Sequence, residues 1–488
     1  MCKISVSFMI MEGEKRALHR GGSFLAIQFN HDCRLGRLVR RAAVLAVCTA
    51  CLPGASGHAD SAAASPTEIG AASLQNRLDA AKPGEAVTLP PGQYAEAIVI
   101  SKRLIVQAEG VTLTGSGGDA PVVKLAAEGA ELHGMAVEKD AAGEAPAVLI
   151  SADRVVVDGL RIKSRSYGIQ LRKSNGSTIR GSVVAPTDDL KGKSARQTDK
   201  RNGIDLFQSN GNLIQENRVT GMFDGIYMES SHDNAVLSNE IDHSRYGIHC
   251  MYTNGTIMRR NSGEFNVTGI MAMIVKGAEV TDNVFTRQKG SVNSQGMLFF
   301  DVQNTRVAGN ELTGNRVGLY IEMSRNNVWE HNDVSYNFVG IQLLDSQSNR
   351  LENNRFVSNV IETQADGSKD NELLHNYWDA FQGLDPSGDG ISDIPYVMNP
   401  FFQRLTKGIP AYQIFFQSPG MRFLESLFTA DAKQWTQDRE PRMEPALSSS
   451  ASTDSRPNPW SAAETGIAGA ALLVAALTII TLMGVKKS

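Results

Sequence analysis

From residue 203 onward a glycine followed by an apolar residue returns at a fixed interval: Gly203-Ile204, Gly225-Ile226, Gly247-Ile248, Gly269-Ile270, Gly296-Met297, Gly318-Leu319 and Gly340-Ile341. The steps are 22, 22, 22, 27, 22 and 22 residues. An asparagine follows each glycine by 14 positions, giving Asn217, Asn239, Asn261, Asn283, Asn310, Asn332 and Asn354, with Asn376 one period further on. Between these marks lie short apolar alternations, such as Asn212-Leu213-Ile214 and Arg350-Leu351, separated by Asn, Gly and Ser. No segment is long enough for a helix, and the leucine set of a leucine-rich repeat is missing. The pattern predicts three short strands and three turns per period, one coil of an all-β, single-stranded right-handed parallel β-helix. Coils stack at ~4.8 Å, so the asparagine column becomes an internal ladder that holds turns and has no catalytic role. Gly168-Ile169 extends the series upstream, with the polar, lysine-rich stretch Val184 to Asn202 looping out of the stack.

The flanks break the period and set the expected domains. Ser73 to Ala81 reads as a short amphipathic helix laid over the first coil as an N-terminal cap, and the β-helix is expected over 70–378. Residues 379–428 read as a C-terminal cap or docking segment, within which 399–428 is far more aromatic than the repeat, with Met421 to Phe428 an amphipathic helix. Residues 429–465 lack apolar periodicity and read as a flexible linker. Gly466 to Val485 is a run of twenty residues without a charge, closed by Lys486-Lys487. At about 1.5 Å per residue that length crosses a ~30 Å hydrocarbon core as a C-terminal transmembrane helix. Residues 1–59 read as an N-terminal extension and signal peptide: Arg34, Arg37, Arg40 and Arg41, an apolar run, then a cleavage site after Ala59. Export places the body in the periplasm, tethered to the inner membrane with its lysines inside.

Charge and cysteine usage narrow the function. The formal net charge of −4 divides into +5 over residues 1–59, from eight Lys/Arg against three Asp/Glu, and −9 over the remainder. An acidic body is not built to hold nucleic acid. Four of the five cysteines lie within the first 51 residues and only Cys250 lies beyond them, which excludes a disulfide framework in the body. Cys250 falls at an inward offset and reads as an inert core thiol.

Strand parity then sorts the candidate chemistry. Odd offsets from each glycine are apolar and point inward, so the +2 column (Asp205, Tyr227, His249, Met271, Leu298, Tyr320, Gln342) and the +4 column (Phe207, Glu229, Met251, Met273, Phe300, Glu322, Leu344) form an exposed outward face. His249, Met251, Met271 and Met273 fall at the corners of a small parallelogram on neighbouring coils. Thioethers and an imidazole suit a soft ion such as Cu(I); an exposed Met-rich patch equally suits a docking partner. Asp385, Ser387, Asp389 and Asp393 occupy positions 1, 3, 5 and 9 of a calcium-type loop, but Tyr396 stands where a glutamate is needed. That loop reads either as a partial calcium site or as an Asx-turn loop without metal.

The entry segment resembles pectin-lyase-like β-helix proteins, a likeness of fold. The exit, Asn376-Tyr377-Trp378-Asp379 through Gly383-Leu384-Asp385-Pro386-Ser387-Gly388-Asp389-Gly390-Ile391-Ser392-Asp393-Ile394-Pro395-Tyr396, together with Tyr246-Gly247-Ile248-His249 and Met251-Tyr252, resembles the NosD family over roughly residues 70–428. That resemblance implies a periplasmic accessory factor for maturing nitrous oxide reductase, working beside an ABC transporter permease and ATPase and a copper chaperone to supply the reductase's copper–sulfur centre. A terminal transmembrane helix departs from the minimal family pattern. The competing class is a β-helix lyase, hydrolase or epimerase acting on a polysaccharide, with Asp205, Glu229 and Glu322 on the outward face. Against it, Glu229 and Glu322 stand four coils apart and no arginine or lysine cluster is expected beside them. A third reading, compatible with the first, is a rigid adaptor that docks through residues 399–428.

Overall fold

A computed structural model describes residues 73–445 apart from 116, 118, 191–195, 289, 292–293, 416–417 and 429–434. The expected signal segment 1–59 and apolar span 466–485 lie outside the described residues. Among the described residues, no helix is long and apolar enough to cross a membrane.

The repeat folds as the period requires. Among the described residues each coil contributes one strand to each of three sheets, of 15, 13 and 12 strands, parallel throughout except where Tyr396–Val397 joins the end of the first, and the fold is an all-β right-handed parallel β-solenoid. Successive coils are in register: Ile226 pairs with Ile248 and Ile248 with Ile270. The 12-stranded sheet carries the long strands, among them Asp224–Glu229, Tyr246–Met251 and Thr268–Met273. Inward residues on these strands, such as Ile226, Met228, Ile248, Cys250 and Phe299, are fully buried in one continuous core.

Corners are turned by single residues with left-handed backbone. Glu216, Ser238, Arg260 and Asp282 have φ of 55°, 54°, 54° and 57°, and each immediately precedes a ladder asparagine. That asparagine points inward and ties its corner to the next. Asn217 Nδ2 donates to Asn239 Oδ1 at 3.0 Å, and the chain of amide bonds continues through Asn261, Asn283, Asn310, Asn332 and Asn354 to Asn376. Two shorter ladders run along the other corners, Asn327–Asn349–Asn371 and Asn315–Asn337–Asn359. These amides satisfy turn backbone that water cannot reach.

The glycine column has its own cause. A Cβ on Gly225, Gly247 or Gly296 would stand 2.6–2.7 Å from the carbonyl oxygen of the next glycine in the column. Only a residue without a side chain lets the coils close to sheet distance at that point.

At the N-terminal end, α1 (Leu74–Ala80) buries Leu74 and Leu78 in the core. Gln75 exchanges two hydrogen bonds with the Val99 backbone, at 2.7 and 3.1 Å, along the first long-sheet strand. At the other end two expectations are corrected. The linker expected over 429–465 is docked over residues 435–445: Gln437–Asp438 pairs in parallel with the last coil through Leu373 and antiparallel with Tyr396–Val397. Asp438 is fully buried and its Oδ2 accepts from Asn376 Nδ2 at 2.9 Å and Trp378 Nε1 at 3.1 Å, terminating the asparagine ladder. Burial raises the Asp438 carboxyl against the opposing pull of those hydrogen bonds. Absence of apolar periodicity is no bar to such docking, because it uses backbone bonds and one buried carboxyl.

The aromatic segment, in turn, does not close the stack. Trp378 does, lying between Phe356 and Tyr396 with ring centroids 4.3 and 4.4 Å away and near-parallel planes. The helix α2 (Phe401–Gly408) instead lies on the outer face of the long-strand sheet, where Phe402 packs with Val317, Val339 and Ile361 in a second apolar cluster. Met421 of α3 (Pro419–Leu427) joins this cluster, while Phe423, Leu424 and Leu427 remain exposed. One face of one sheet is thus covered by α2 over its C-terminal coils, while residues 196–202 of the insertion lie beside the coils of Asp205 and Tyr227.

Candidate functional site

The insertion does more than loop out. Gln197 Nε2 donates to the carbonyls of Met222 and Phe223, and Phe223 N donates to Arg201 O, pinning the insertion beside the long-strand sheet. Between them lies a groove of about 660 Å³, walled by Thr198, Lys200 and Arg201 and floored by Asp205, Tyr227, Glu229, His249 and Met251.

At its floor, two neighbouring coils converge on one imidazole. Asp224 and His249 come from neighbouring strands, and His249 Nδ1 lies 2.9 Å from Asp224 Oδ2. Arg245 grips the same carboxylate through two bonds, Nε to Oδ1 at 2.8 Å and an Nη to Oδ2 at 2.7 Å. Burial alone would raise the Asp224 pKa, but the hydrogen bonds from His249 and Arg245 outweigh it and hold the carboxyl below its usual value. Asp224 is therefore an acceptor, which places a hydrogen of His249 on Nδ1, and in the neutral imidazole the lone pair is then on Nε2. The rings of Tyr227 and Tyr246 flank the imidazole at 4.9 and 4.8 Å. Nε2 is buried and has no hydrogen-bond partner among the described residues.

The remaining acids are all engaged. Asp205 takes Asn202 Nδ2 at 2.6 Å and Arg172 at 2.5 Å. Its pKa is raised by burial, which outweighs Arg172. Glu229 Oε2 accepts from Tyr227 Oη at 2.9 Å, and Glu322 accepts in the same way from Tyr320 at 2.8 Å four coils on. The expectation that no basic cluster faces these carboxylates is corrected: Arg172, Lys200, Arg201 and Arg245 all line the groove. Two of them enter from the insertion, outside the repeat columns. Burial lowers the Lys200 pKa.

The soft-donor quartet sits in register but is divided by its surroundings. His249 pairs with Met271 and Met251 with Met273 across adjacent strands. His249 and Met251 line the groove; Met271 and Met273 do not. The face is outward but not open, since His249 is 7% and Met271 6% exposed. For His249 the cover is the pair of tyrosine rings. Asp224 and Arg245 are not among the residues singled out from the sequence, and Tyr246 is only as part of the family-like motif; all three stand one or two positions before the repeat glycines. The available signal was the column just before each glycine: polar in Asn202, Asp224, Thr268 and Gln295, then apolar in Val317 and Val339 where α2 packs.

Elsewhere, Cys250 is fully buried, its thiol pushed up to about 12 by burial, with Sγ 3.6 Å from Met258 Sδ. Such a thiol is inert. In the acidic loop, Asp385 Oδ1 accepts from Ser387 Oγ and the amides of Gly388 and Asp389, and Oδ2 from the amide of Gly390. Asp389 Oδ1 accepts from the Ile391 amide at 2.9 Å. These bonds hold the loop as a set of Asx turns and draw the Asp385 pKa down. Treatment with EDTA is accordingly expected to leave the melting temperature unchanged; a drop reversed by added calcium would restore the loop as a cation site. Among the described residues no group of three or more His, Cys, Asp or Glu is arranged to hold a metal ion. A buried imidazole nitrogen without a partner, in a groove that Met251 also lines, is a donor set that suits a soft ion.

Comparison with known proteins agrees with this architecture. Residues 187–383 match the family described as periplasmic copper-binding protein (NosD). Residues 70–272 match the rhamnogalacturonase A/epimerase, pectate lyase-like family. A Pseudomonas aeruginosa protein named probable ABC transporter binding protein NosD is 26% identical over 425 residues, covering 73% of this chain and 87% of its own length. Similar solved structures include the alginate lyase AlyF-OU02, at 13% identity, TM-score 0.45 and coverage of 62% of this chain and 81% of that one. The Azotobacter vinelandii mannuronan C-5 epimerase AlgE6 A-module aligns at 16% identity, TM-score 0.39 and coverage of 62% and 88%. This chain therefore resembles NosD proteins over most of its length, and its groove lies within the residues that match the pectate lyase-like family, most of them also within the NosD match.

Proposed function

We propose that this chain is a non-enzymatic periplasmic maturation factor for nitrous oxide reductase that carries Cu(I) as cargo at His249 and its neighbouring methionines. The observation that supports this most is the buried His249 Nε2, which has no hydrogen-bond partner among the described residues while Nδ1 is held by Asp224, with Met251 two positions along the same strand in the same groove. A carboxylate on one imidazole nitrogen with the other left bare is how proteins orient a histidine ligand. Thioether and imidazole donors are neutral, so a monovalent ion is bound without a fixed counter-charge and exchanges readily with a partner of similar donors. The family's description as copper-binding and the relative's name as an ABC transporter binding protein support the cargo and the partner.

In this reading the rest of the chain is delivery apparatus. The signal segment exports it, the apolar run at 466–485 tethers it, and the solenoid acts as a stiff arm whose first coil α1 covers. The exposed side chains Phe423, Leu424 and Leu427 on α3 dock against the transporter's membrane part. A copper chaperone and the reductase meet the groove face.

Anaerobic Cu(I) competition titration of the full chain in detergent tests the cargo. The Met251→Ala, Met273→Ala double variant is expected to lose one copper per chain; unchanged stoichiometry ends the ligand assignment. The four cations in the groove favour a second reading, an enzyme acting on an acidic polysaccharide. Release of unsaturated uronate by the purified wild type, absent from Asp205→Asn, would replace the maturation role.

A further inference from the structure

One carboxylate, Asp224, is bonded to the His249 imidazole; a second, Glu229, lies diagonally across from it on the neighbouring coil, and each accepts from a neighbouring side chain. Asp224 is spent on Arg245 and on His249 Nδ1. Glu229 sits on the neighbouring coil, in register with Met251, and its Oε2 is held by the Tyr227 hydroxyl. Tyr227 in turn is in register with His249 and packs its ring against the imidazole. All four side chains of this square, Tyr227, Glu229, His249 and Met251, line the groove. Zn(II) and Cu(II) bind strongly where a carboxylate joins an imidazole, whereas Cu(I) and Ag(I) are content with imidazole and thioether.

We propose that Tyr227 determines the metal specificity of this site, by holding the Glu229 carboxylate out of the coordination sphere so that a soft monovalent ion is taken and divalent ions are refused. Tyr227 acts through Glu229 and is a positioning residue. The pairing is intrinsic to the strand, because residues two apart project from the same face, and it recurs at Tyr320 and Glu322 where no histidine is adjacent. What is particular to Tyr227 and Glu229 is the imidazole and thioether on the next coil.

The proposal rests on His249 as a cargo donor, and its test separates the two. The untagged full chain in detergent is titrated with Ag(I), the air-stable analogue of Cu(I), and separately with Zn(II). Wild type is expected to show an Ag(I) site lost in His249→Ala, and Zn(II) binding weaker than Ag(I) by at least about a hundredfold. Tyr227→Phe, which keeps the ring and removes the hydroxyl, is expected to gain about tenfold or more in Zn(II) affinity while Ag(I) affinity changes by less than about threefold. Tyr227→Phe with Glu229→Gln loses that gain, a reversal no purely structural role produces. Glu229→Gln alone leaves Ag(I) binding intact and provides the readout if Tyr227→Phe misfolds; loss of the Ag(I) site in Glu229→Gln would overturn the proposal. An unchanged Zn(II) affinity in a folded Tyr227→Phe overturns the specificity role and leaves the donor standing. If wild type has no Ag(I) site dependent on His249, the donor and the specificity role both fall.

Discussion

Replacing Asn310 by alanine is expected to lower the unfolding free energy by about 3–5 kcal/mol, read from the urea midpoint of the solenoid. Asn310 sits in the middle of the longest ladder and is almost fully buried. Its Nδ2 donates to Val280 O at 2.9 Å and to Asn332 Oδ1 at 2.8 Å, and its Oδ1 accepts from Asn283 N at 3.0 Å and Asn283 Nδ2 at 2.9 Å. Truncation leaves Asn283 N without an acceptor in a corner closed to water. Each such buried orphan costs roughly 1–3 kcal/mol, and the vanished amide adds a small void. Two coils lose their tie at once, and in a stack where each coil contacts only its neighbours the defect cannot be shared out. A loss under about 1 kcal/mol would mean that water enters the corner and satisfies the freed groups.

A change that adds a single methyl group is expected to do comparable damage. Gly269→Ala would set a Cβ against the carbonyl oxygen of Gly296 and 2.5 Å from Cδ1 of the Phe285 ring. The oxygen belongs to the next coil's strand and cannot retreat without opening the sheet, and Phe285 is fully buried. The expected cost lies at or above the upper end of overpacking penalties, about 3 kcal/mol. Gly277→Ala is the control. Its Cβ would meet nothing within 4 Å, so only the left-handed φ of 62° is penalised, by roughly 1–2 kcal/mol. Comparing the two melting temperatures separates crowding from backbone strain; equal shifts would refute the close-approach explanation of the glycine column.

Both effects trace to columns that a reader of the sequence finds first. The Gly-Ile and Asn columns were visible because a solenoid presents the same physical problem once every coil: a backbone approach that excludes Cβ, and a buried corner that needs an amide. The ladders through Asn327 and Asn337 obey the same rule but are broken by Thr256, Ala278, Met222 and Gln288 in other coils, which hid their period. The exit was less legible. Residues 435–445 dock by backbone pairing and one buried carboxyl, and neither leaves a pattern of apolar residues. The aromatic segment was recognisable as something that packs, yet whether it closes the end or clads the side depends on where the chain returns after Trp378.

The groove shows the division most clearly. Parity of the long strands placed Asp205, Tyr227, His249 and Met251 on one outward face, because alternation along a strand is local geometry and stacking is fixed by the repeat. Sequence alone thus determined the solenoid, its register and which side chains share that face. What lies over the face was decided only in three dimensions: residues 196–202 bring Lys200 and Arg201 to it, and α2 covers coils nearer the C-terminal end. So was the setting of each acid, since Asp224 meets Arg245 and His249, and Glu229 meets Tyr227, only through contacts between strands and along them. Those contacts follow from burial and distance, which a one-dimensional pattern does not contain. They leave His249 Nε2 as the site's unclaimed donor.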